Sequence, residues 1–439
     1  MPRCPSLPTL SESRLLRLVY FYAFYGAQGV SIGLFTFAIP AWLAADGASV
    51  AQIGAVVGAA TFPWGIKFLK GFFVDRFAWL PMGRRRAWIV GSQLGLLVAF
   101  GVLAVVNPGV SDLALISAMA FGVNLIVNFQ DVSVDGLAAD IVPKEERGRT
   151  AGVMFGGQSI GVAVTSTVTG WLLIHYGMRG AALACMLYIV AVLLLAASCR
   201  ERAGERLLPW TRGEASPDAA AVYVGAWRPL FARTYRAMAR RECLLLWFAS
   251  FAFGAAYGMS LSVLPLLATQ RAGFNAAEYG ALTGTVNLLV GIACLLLFGH
   301  IADRVGPLRM YRTSLVVGLL ACIAMLVAQP LWAGVLPVTL MVIAILTLRL
   351  LLNVPYNAMA LGLSNPSVAA TQVTLFNSPS NLAVSMVGFL LGPLDRAGGP
   401  AAIVACMAVF VGVSLTLALI IRGRTHILQE APVEELATA

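Results

Sequence analysis

Charge is scarce in this chain. Lysine, arginine, aspartate and glutamate make up 11% of its 439 residues, against roughly 25% in a typical soluble protein. So little charge beside 59% apolar residues excludes a soluble globular domain. Histidine is rarer still, with 3 residues (His175, His300 and His426) far apart in the chain. The 7 cysteines are scattered through apolar stretches without a Cys-x-x-Cys pair, which excludes a disulfide framework or a zinc site of ordinary spacing. No glycine-rich phosphate loop ending in Lys-Ser/Thr is present, which argues against a pump driven by ATP. No nucleophile–base pair and no metal cluster stands out. The chain reads as a non-enzyme that needs no cofactor and no metal.

What is there instead is long apolar runs. A helix needs about 20 apolar residues to cross a bilayer core. That length places spans near 17–44, 49–74, 87–107, 112–140, 151–176 and 179–198, and again near 243–269, 277–302, 313–329, 335–363, 371–394 and 400–421. The expected fold is an all-α membrane protein of twelve transmembrane helices. It divides into a six-helix bundle (1–198), a linker (199–242), a second six-helix bundle (243–421) and a tail (422–439).

The basic residues assign the sides of the membrane, because loops rich in Lys and Arg stay in the cytoplasm. One set of loops holds Arg76, Arg84, Arg85, Arg86, Lys144, Arg147, Arg149, Arg304, Arg309 and Arg312. The other holds only Arg179, Arg271 and Arg396. The linker carries 9 arginines. Both termini and the linker therefore fall on the cytoplasmic side of an inner membrane. The net charge of +10 lies in these loops rather than on one face of a soluble domain, so no nucleic-acid partner is expected. "RPLFARTYRAMARR" (228–241) fits two readings equally: a helix lying on the inner leaflet, or a solvated basic linker.

The two halves echo each other. "GFFVDR" (71–76) returns as "GHIADR" (299–304), each at the end of the second span of its half. "YGAQGVSIGLFTFAIP" (25–40) has a looser counterpart in "FGAAYGMSLSVLP" (253–265). Gly71-x-x-x-Asp75-Arg76 with Gly83-Arg84-Arg85-Arg86 resembles the cytoplasmic-loop motif of major facilitator transporters. Gly299-x-x-x-Asp303-Arg304 is its second copy. Glycine permits close helix approach, and aspartate can receive a neighbouring helix N-terminus. The resemblance implies that Gly71, Asp75, Arg76, Gly83, Arg84, Arg85, Gly299, Asp303 and Arg304 form a gate. In the first copy, six residues, "FAWLPM" (77–82), replace the usual single one. That extended loop, "QDVSVDGLAADIVPKEERG" (130–148) and "AATQVTLF" (369–376) resemble the muropeptide permease and acetyl-CoA transporter branch. "GAQGVSIGLFTFAIPAWLA" is also similar to siderophore permeases.

Polar residues inside the spans carry the rest. Asn124, Asn128, Asp131 and Asp135 recur at i, i+4, i+7 and i+11, one face of the fourth span. A charge at a span's centre costs about 2.5–3.5 kcal/mol on insertion scales. Such residues should therefore face the bundle interior, paired or wet. At about 1.5 Å per residue, Asp135 and Asp131 lie roughly 7.5 and 13.5 Å deeper than Asp140. Asp140 reads as a gate contact for the arginines of the 76–86 loop. Asp131 reads as proton-coupling, and Asp135 as either a structural pair or a second coupling group. Lys67 offers a partner for either acid; Lys70 is expected to snorkel to the cytoplasmic interface. Arg349, continued by Asn353 and Asn357 on the tenth span, is either an anchor for an anionic solute or the counter-ion of Asp131. Tyr22, Tyr25, Gln28 and Tyr257 are candidate cavity residues, as is a weaker row of Gln372, Asn377 and Asn381. Pro40, Pro265 and Pro355 are candidate kinks.

The expectation is a monomeric secondary transporter in the lipid bilayer, a proton-coupled importer of a small-molecule solute. The resemblance implies a bulky, partly anionic solute, with a muropeptide first and a siderophore or acyl-CoA-type solute second. A non-transporting membrane sensor or assembly partner is the alternative of another class.

Overall fold

The computed structural model describes residues 9–48, 50–274 and 276–421, so the expected tail 422–439 lies outside the described residues. The twelve apolar runs are helices. In the first half they are α1 (14–45), α2 (50–76), α3 (Arg86–Val106), α4 (Leu113–Ile141), α5 (147–176) and α6 (178–198). In the second they are α7 (241–271), α8 (276–305), α9 (Pro307–Val327), α10 (Val335–Leu363), α11 (369–397) and α12 (400–420). Gly177, at φ 64°, divides α5 from α6, and Gly398 and Gly399 divide α11 from α12.

The spans differ from their expected bounds mostly at the ends, and several also differ inside. α2 breaks at Ile66, three residues after Pro63, into Val50–Gly65 and Lys67–Arg76. Proline lacks an N–H and its ring crowds the preceding turn, so it weakens the helix there. α1 contains a wide turn, Gly33–Ala38, just before Pro40, and α7 has one, Leu267–Arg271, just after Pro265. Extra-residue turns of this kind absorb the mismatch that an internal proline creates. Pro355 lies in α10 with no break.

Small residues set how closely helices approach. In the first half, Gly29 and Gly33 of α1 meet the backbone of Gln158–Ser166 on α5, and Gly161 meets Gly26 in return. A second glycine stripe on α5 faces the other half. Gly148, Gly152 and Gly156 pack against Asp303, Gly299 and Leu295 of α8. On the opposite side Gly71 of α2 packs on the Thr371 backbone of α11, and Gly136 of α4 on Ala370. With lipid as solvent there is little hydrophobic drive between helices, so backbone approach at glycine supplies much of the packing.

These contacts between halves gather at one end of the bundle, the end carrying the basic loops. At the far end, among the described residues, Gly58 of α2 and Gly280 and Gly284 of α8 have nothing within 4 Å of where a side chain would sit. The far-end turns of α1 (Gly33–Ala38) and α7 (Leu267–Arg271) pack on helices of their own half. The halves are thus closed on each other at the basic end and part toward the far end.

Candidate functional site

At the basic end the repeated aspartates do the same job twice. Asp75, at the end of α2, accepts hydrogen bonds from the Thr371 backbone N–H (2.8 Å) and hydroxyl (2.7 Å) at the start of α11. Asp303, at the end of α8, accepts from the N–H groups of Gly148 (2.7 Å) and Arg149 (2.9 Å) at the start of α5. Each carboxylate therefore caps the N-terminus of a helix in the opposite half, where free N–H groups and the helix dipole favour negative charge. Gly71 and Gly299 sit one turn above, where any side chain would collide with the helix being capped.

The basic loop after α2 completes the closure on one side only. Arg85 joins Asp75 (2.6 Å) to Asp140 (3.0 Å), and Arg84 lies 3.4 Å from Asp140. Arg84 also donates across the halves to the carbonyls of Pro366 and Ser367. Arg76 takes a different place from the one expected. Its guanidinium lies over the rings of Phe77 and Trp227 and, among the described residues, has no carboxylate partner. Arg304 is exposed.

A residue that the motif gives no hint of holds this loop in shape. Glu201, just after α6, accepts the backbone N–H groups of Arg84 (2.9 Å), Arg85 (2.7 Å) and Arg86 (2.5 Å). It thus caps α3 while the Arg84 and Arg85 side chains turn to Asp75 and Asp140. Gly83 makes room for it: its φ is +98°, and a Cβ there would lie 2.5 Å from the Glu201 carboxyl carbon. Arg86 turns away from Asp75 and Asp140 and donates to the carbonyls of Ala196, Arg206 and Leu207.

Deeper in the first half lie the acids of α4. Lys67 pairs with Asp131 at 3.0 Å, both buried. The break at Ile66 turns Lys67 inward as the first residue of the lower segment of α2. Lys70 does not snorkel toward the basic end. It donates back to the Pro63 carbonyl (3.3 Å), near the α2 break, and lies over the Phe129 ring. Asp131 is therefore balanced by Lys67 and not by Arg349. Among the described residues Asp135 has no cation within ion-pair distance, although the Lys67 charge acts on it from beside Asp131. Tyr25 donates to its Oδ1 at 2.5 Å. Asn377 of α11 lies close enough to act on it, while among the described residues its buried Oδ2 meets no donor at full hydrogen-bond distance and angle.

The remaining predicted residues divide between structural ties and unspent groups. Asn124 accepts from Ser31 (3.1 Å) and Trp64 (3.1 Å), tying α1, α2 and α4 together. Asn128 donates to the Asn124 carbonyl, and Gln158 donates to Gln28. That leaves Asn128 Oδ1 and Gln28 Nε2, with Asp135 Oδ2, as buried polar atoms without partners. Across the divide, Asn377 donates to Asn357, which itself donates to the Asn353 carbonyl. Gln372 is spent on the loop before α11, bonding Asn365 and Leu363. Arg349 lies 4.6 Å above the Tyr257 ring, beside a small cavity with Ser260, Cys322, Ile345 and Met407. Tyr22 packs by its backbone against Gly157.

Sequence reasoning passed over three groups here: Glu201, the Gly148/Gly152/Gly156 stripe and Thr371. The stripe was readable as small residues spaced by four. Glu201 sits in a polar linker with no periodicity to mark it.

Comparison with known proteins agrees with this architecture. The family model described as Major Facilitator Superfamily matches residues 21–388. The anhydromuropeptide permease of Escherichia coli K12 is 28% identical over 297 residues, 67% of this chain and 56% of the permease. The putative transporter AmpG 1 of Rickettsia typhi is 26% identical over 195 residues, 43% of each chain. The chain thus matches about half the length of these curated relatives. The human organic anion transporter MFSD10 (TETRAN) superposes with a TM-score of 0.66 at 17% identity, covering 93% of this chain and 100% of that one.

Proposed function

Because the chain belongs to the major facilitator superfamily, we propose that it is a proton-coupled importer of a bulky, partly anionic solute of the muropeptide class. It is a multi-pass membrane transporter and not an enzyme. The finer reading puts the basic end in the cytoplasm of a cell with an inner membrane, both termini with it, and the far end outside. The similarity to an anhydromuropeptide permease supports the solute class.

The observation that carries the coupling is Asp135. It is a buried carboxylate with one oxygen held by Tyr25 and the other facing the opposite half unpartnered. An unpaired buried charge is costly, and a proton on Oδ2 removes that cost. The Lys67–Asp131 pair needs no proton to be neutral overall, so the coupling role passes from Asp131 to Asp135. Solute enters from the far end. The unspent atoms of Gln28 and Asn128 supply hydrogen bonds, and Lys67 and Asn124 line the same face. From the other half, Arg349 supplies a fixed positive charge for a carboxylate, with Tyr257 beneath it and Asn353 and Asn357 beyond.

Protonation of Asp135 and filling of the site release the basic-end closure. The bonds of Asp75 and Asp303 to the opposite halves break, Arg84 parts from the carbonyls of Pro366 and Ser367, and the halves rock.

Arg349 over Tyr257 would serve a siderophore or acyl-CoA-type solute as well, so the test compares all three. Purified chain in liposomes is given labelled anhydromuropeptide, ferric siderophore or acetyl-CoA with acid outside. Accumulation of the muropeptide alone is expected. Accumulation of another solute in its place would replace the assignment.

A further inference from the structure

The helix Trp227–Met238, between the two halves, lies across the closed gate. Its buried apolar residues Leu230 and Ala237 pack with Val224 on Phe72 of α2 and on Val368, just before α11, and Thr234 is buried between them. Its seat is therefore shared between the halves. Nearby, Tyr223 donates to the Arg76 carbonyl at 2.9 Å, fixing the approach to the helix.

The other faces of this helix are exposed and sorted by chemistry. At about 100° per residue, Trp227, Phe231 and Tyr235 fall along one edge. They are 37%, 51% and 75% exposed. Phe73 and Phe77 continue that edge onto α2, each with its ring 5.8 Å from Trp227 and about half exposed. On the adjoining face Arg228 and Arg236 stand two turns apart, both exposed, with Arg240 and Arg241 following the helix end. Among the described residues none of the four has a carboxylate partner.

An aromatic edge continuous with the outer surface of a membrane span sits at the depth of acyl chains and glycerol. Arginines beside it reach the headgroups. We propose that this helix is a binding surface for acidic phospholipid, and that bound lipid stabilises the closed gate. Opening at the basic end must separate Phe72 from Val368 and so split the seat. A ligand that holds the helix down binds the closed state more tightly and shifts the population toward it. An acidic protein partner would need no aromatic edge continuous with a lipid-facing helix.

The proposal rests on the sidedness given above only for which leaflet supplies the lipid. Binding is measured on purified full chain in detergent, so a failed transport assay and a failed lipid assay are read separately. The chain is titrated with fluorescent phosphatidylglycerol and with phosphatidylcholine. Phosphatidylglycerol should bind more tightly, and Arg228→Gln/Arg236→Gln should weaken it by about fivefold per arginine, roughly 30-fold together. Both residues are exposed, so helix content should be unchanged by circular dichroism. Spin labels at Glu145, just before α5, and Arg309, in the first turn of α9, at the basic ends of opposite halves, should gain short-distance population when phosphatidylglycerol is added. Equal binding of the two lipids, or unchanged affinity in the double variant, would overturn the site. An unchanged distance distribution would overturn the link to the gate.

Discussion

Gly152 is a position where closure of the basic end is sensitive to a single methyl group. A Cβ there would lie 2.7 Å from the Cys294 carbonyl and 2.9 Å from the Gly299 Cα, against an ordinary contact of 3.4–4 Å. The obstacles are backbone atoms of α8, which cannot rotate aside as a side chain would. Gly152→Ala must push α5 and α8 apart by about 0.7 Å or more at this level, with a cost of overpacking near 1–3 kcal/mol. That cost falls only on the state in which α5 and α8 touch at the basic end. The ratio of closed to open basic-end states should therefore fall by about 5- to 150-fold, taking 1.4 kcal/mol as a factor of ten. Pulsed electron resonance between labels at Glu145 and Arg309 reads this as growth of the long-distance population. Gly170→Ala is the control: it lies on the same helix, with nothing within 4 Å. If Gly152→Ala leaves the distances unchanged, the α5–α8 contact is not a moving interface and the rocking account fails.

Other expectations concern the buried charges. Lys67→Met should leave Asp131 uncompensated and lower thermal stability in detergent by about 3–5 kcal/mol. Adding Asp131→Asn should restore most of it, and simple additivity of the two losses would contradict a mutual pair. Glu201→Ala removes the acceptor for three backbone N–H groups. It should cost about 1–3 kcal/mol and loosen the arginine loop, as read by hydrogen exchange at 83–86. Burial, with the Glu201 charge adding to it, pushes Glu205 in the linker from the usual 4.5 up to about 7. The folded linker then holds a proton that the unfolded one has released. Its stability is full below pH 4.5 and is lost as pH rises through 7. Limited proteolysis of the linker should speed up from pH 5 to pH 8 in the native chain and do so less in Glu205→Gln, where buried Glu201, also pushed up, still titrates.

The twelve helices were legible because bilayer thickness sets their length and every backbone group in lipid must bond within its own segment. The paired capping aspartates were legible because "GFFVDR" and "GHIADR" repeat an aspartate at one spacing. The break at Ile66 was not, since Pro63 is compatible with either a bend or a continuous membrane helix. That break decides where Lys67 and Lys70 reach, so Lys70 was sent to the wrong end. Arg76 was grouped with its neighbours by the motif, but the extended loop brings Arg84 and Arg85 to the acids instead. Pairing between distant charges depends on helix rotation, which a one-dimensional pattern of polar residues leaves open. For that reason Asp131 had two eligible cations, and only the three-dimensional packing selects Lys67.

The account turns on Asp135 carrying the proton. Proteoliposomes loaded with a pH-sensitive dye and given anhydromuropeptide outside, with no imposed gradient, test it most directly. The native chain should acidify the lumen only when solute is present. Asp135→Asn should remove that acidification while solute-for-solute exchange continues. Solute-driven acidification of native size in Asp135→Asn would contradict the account.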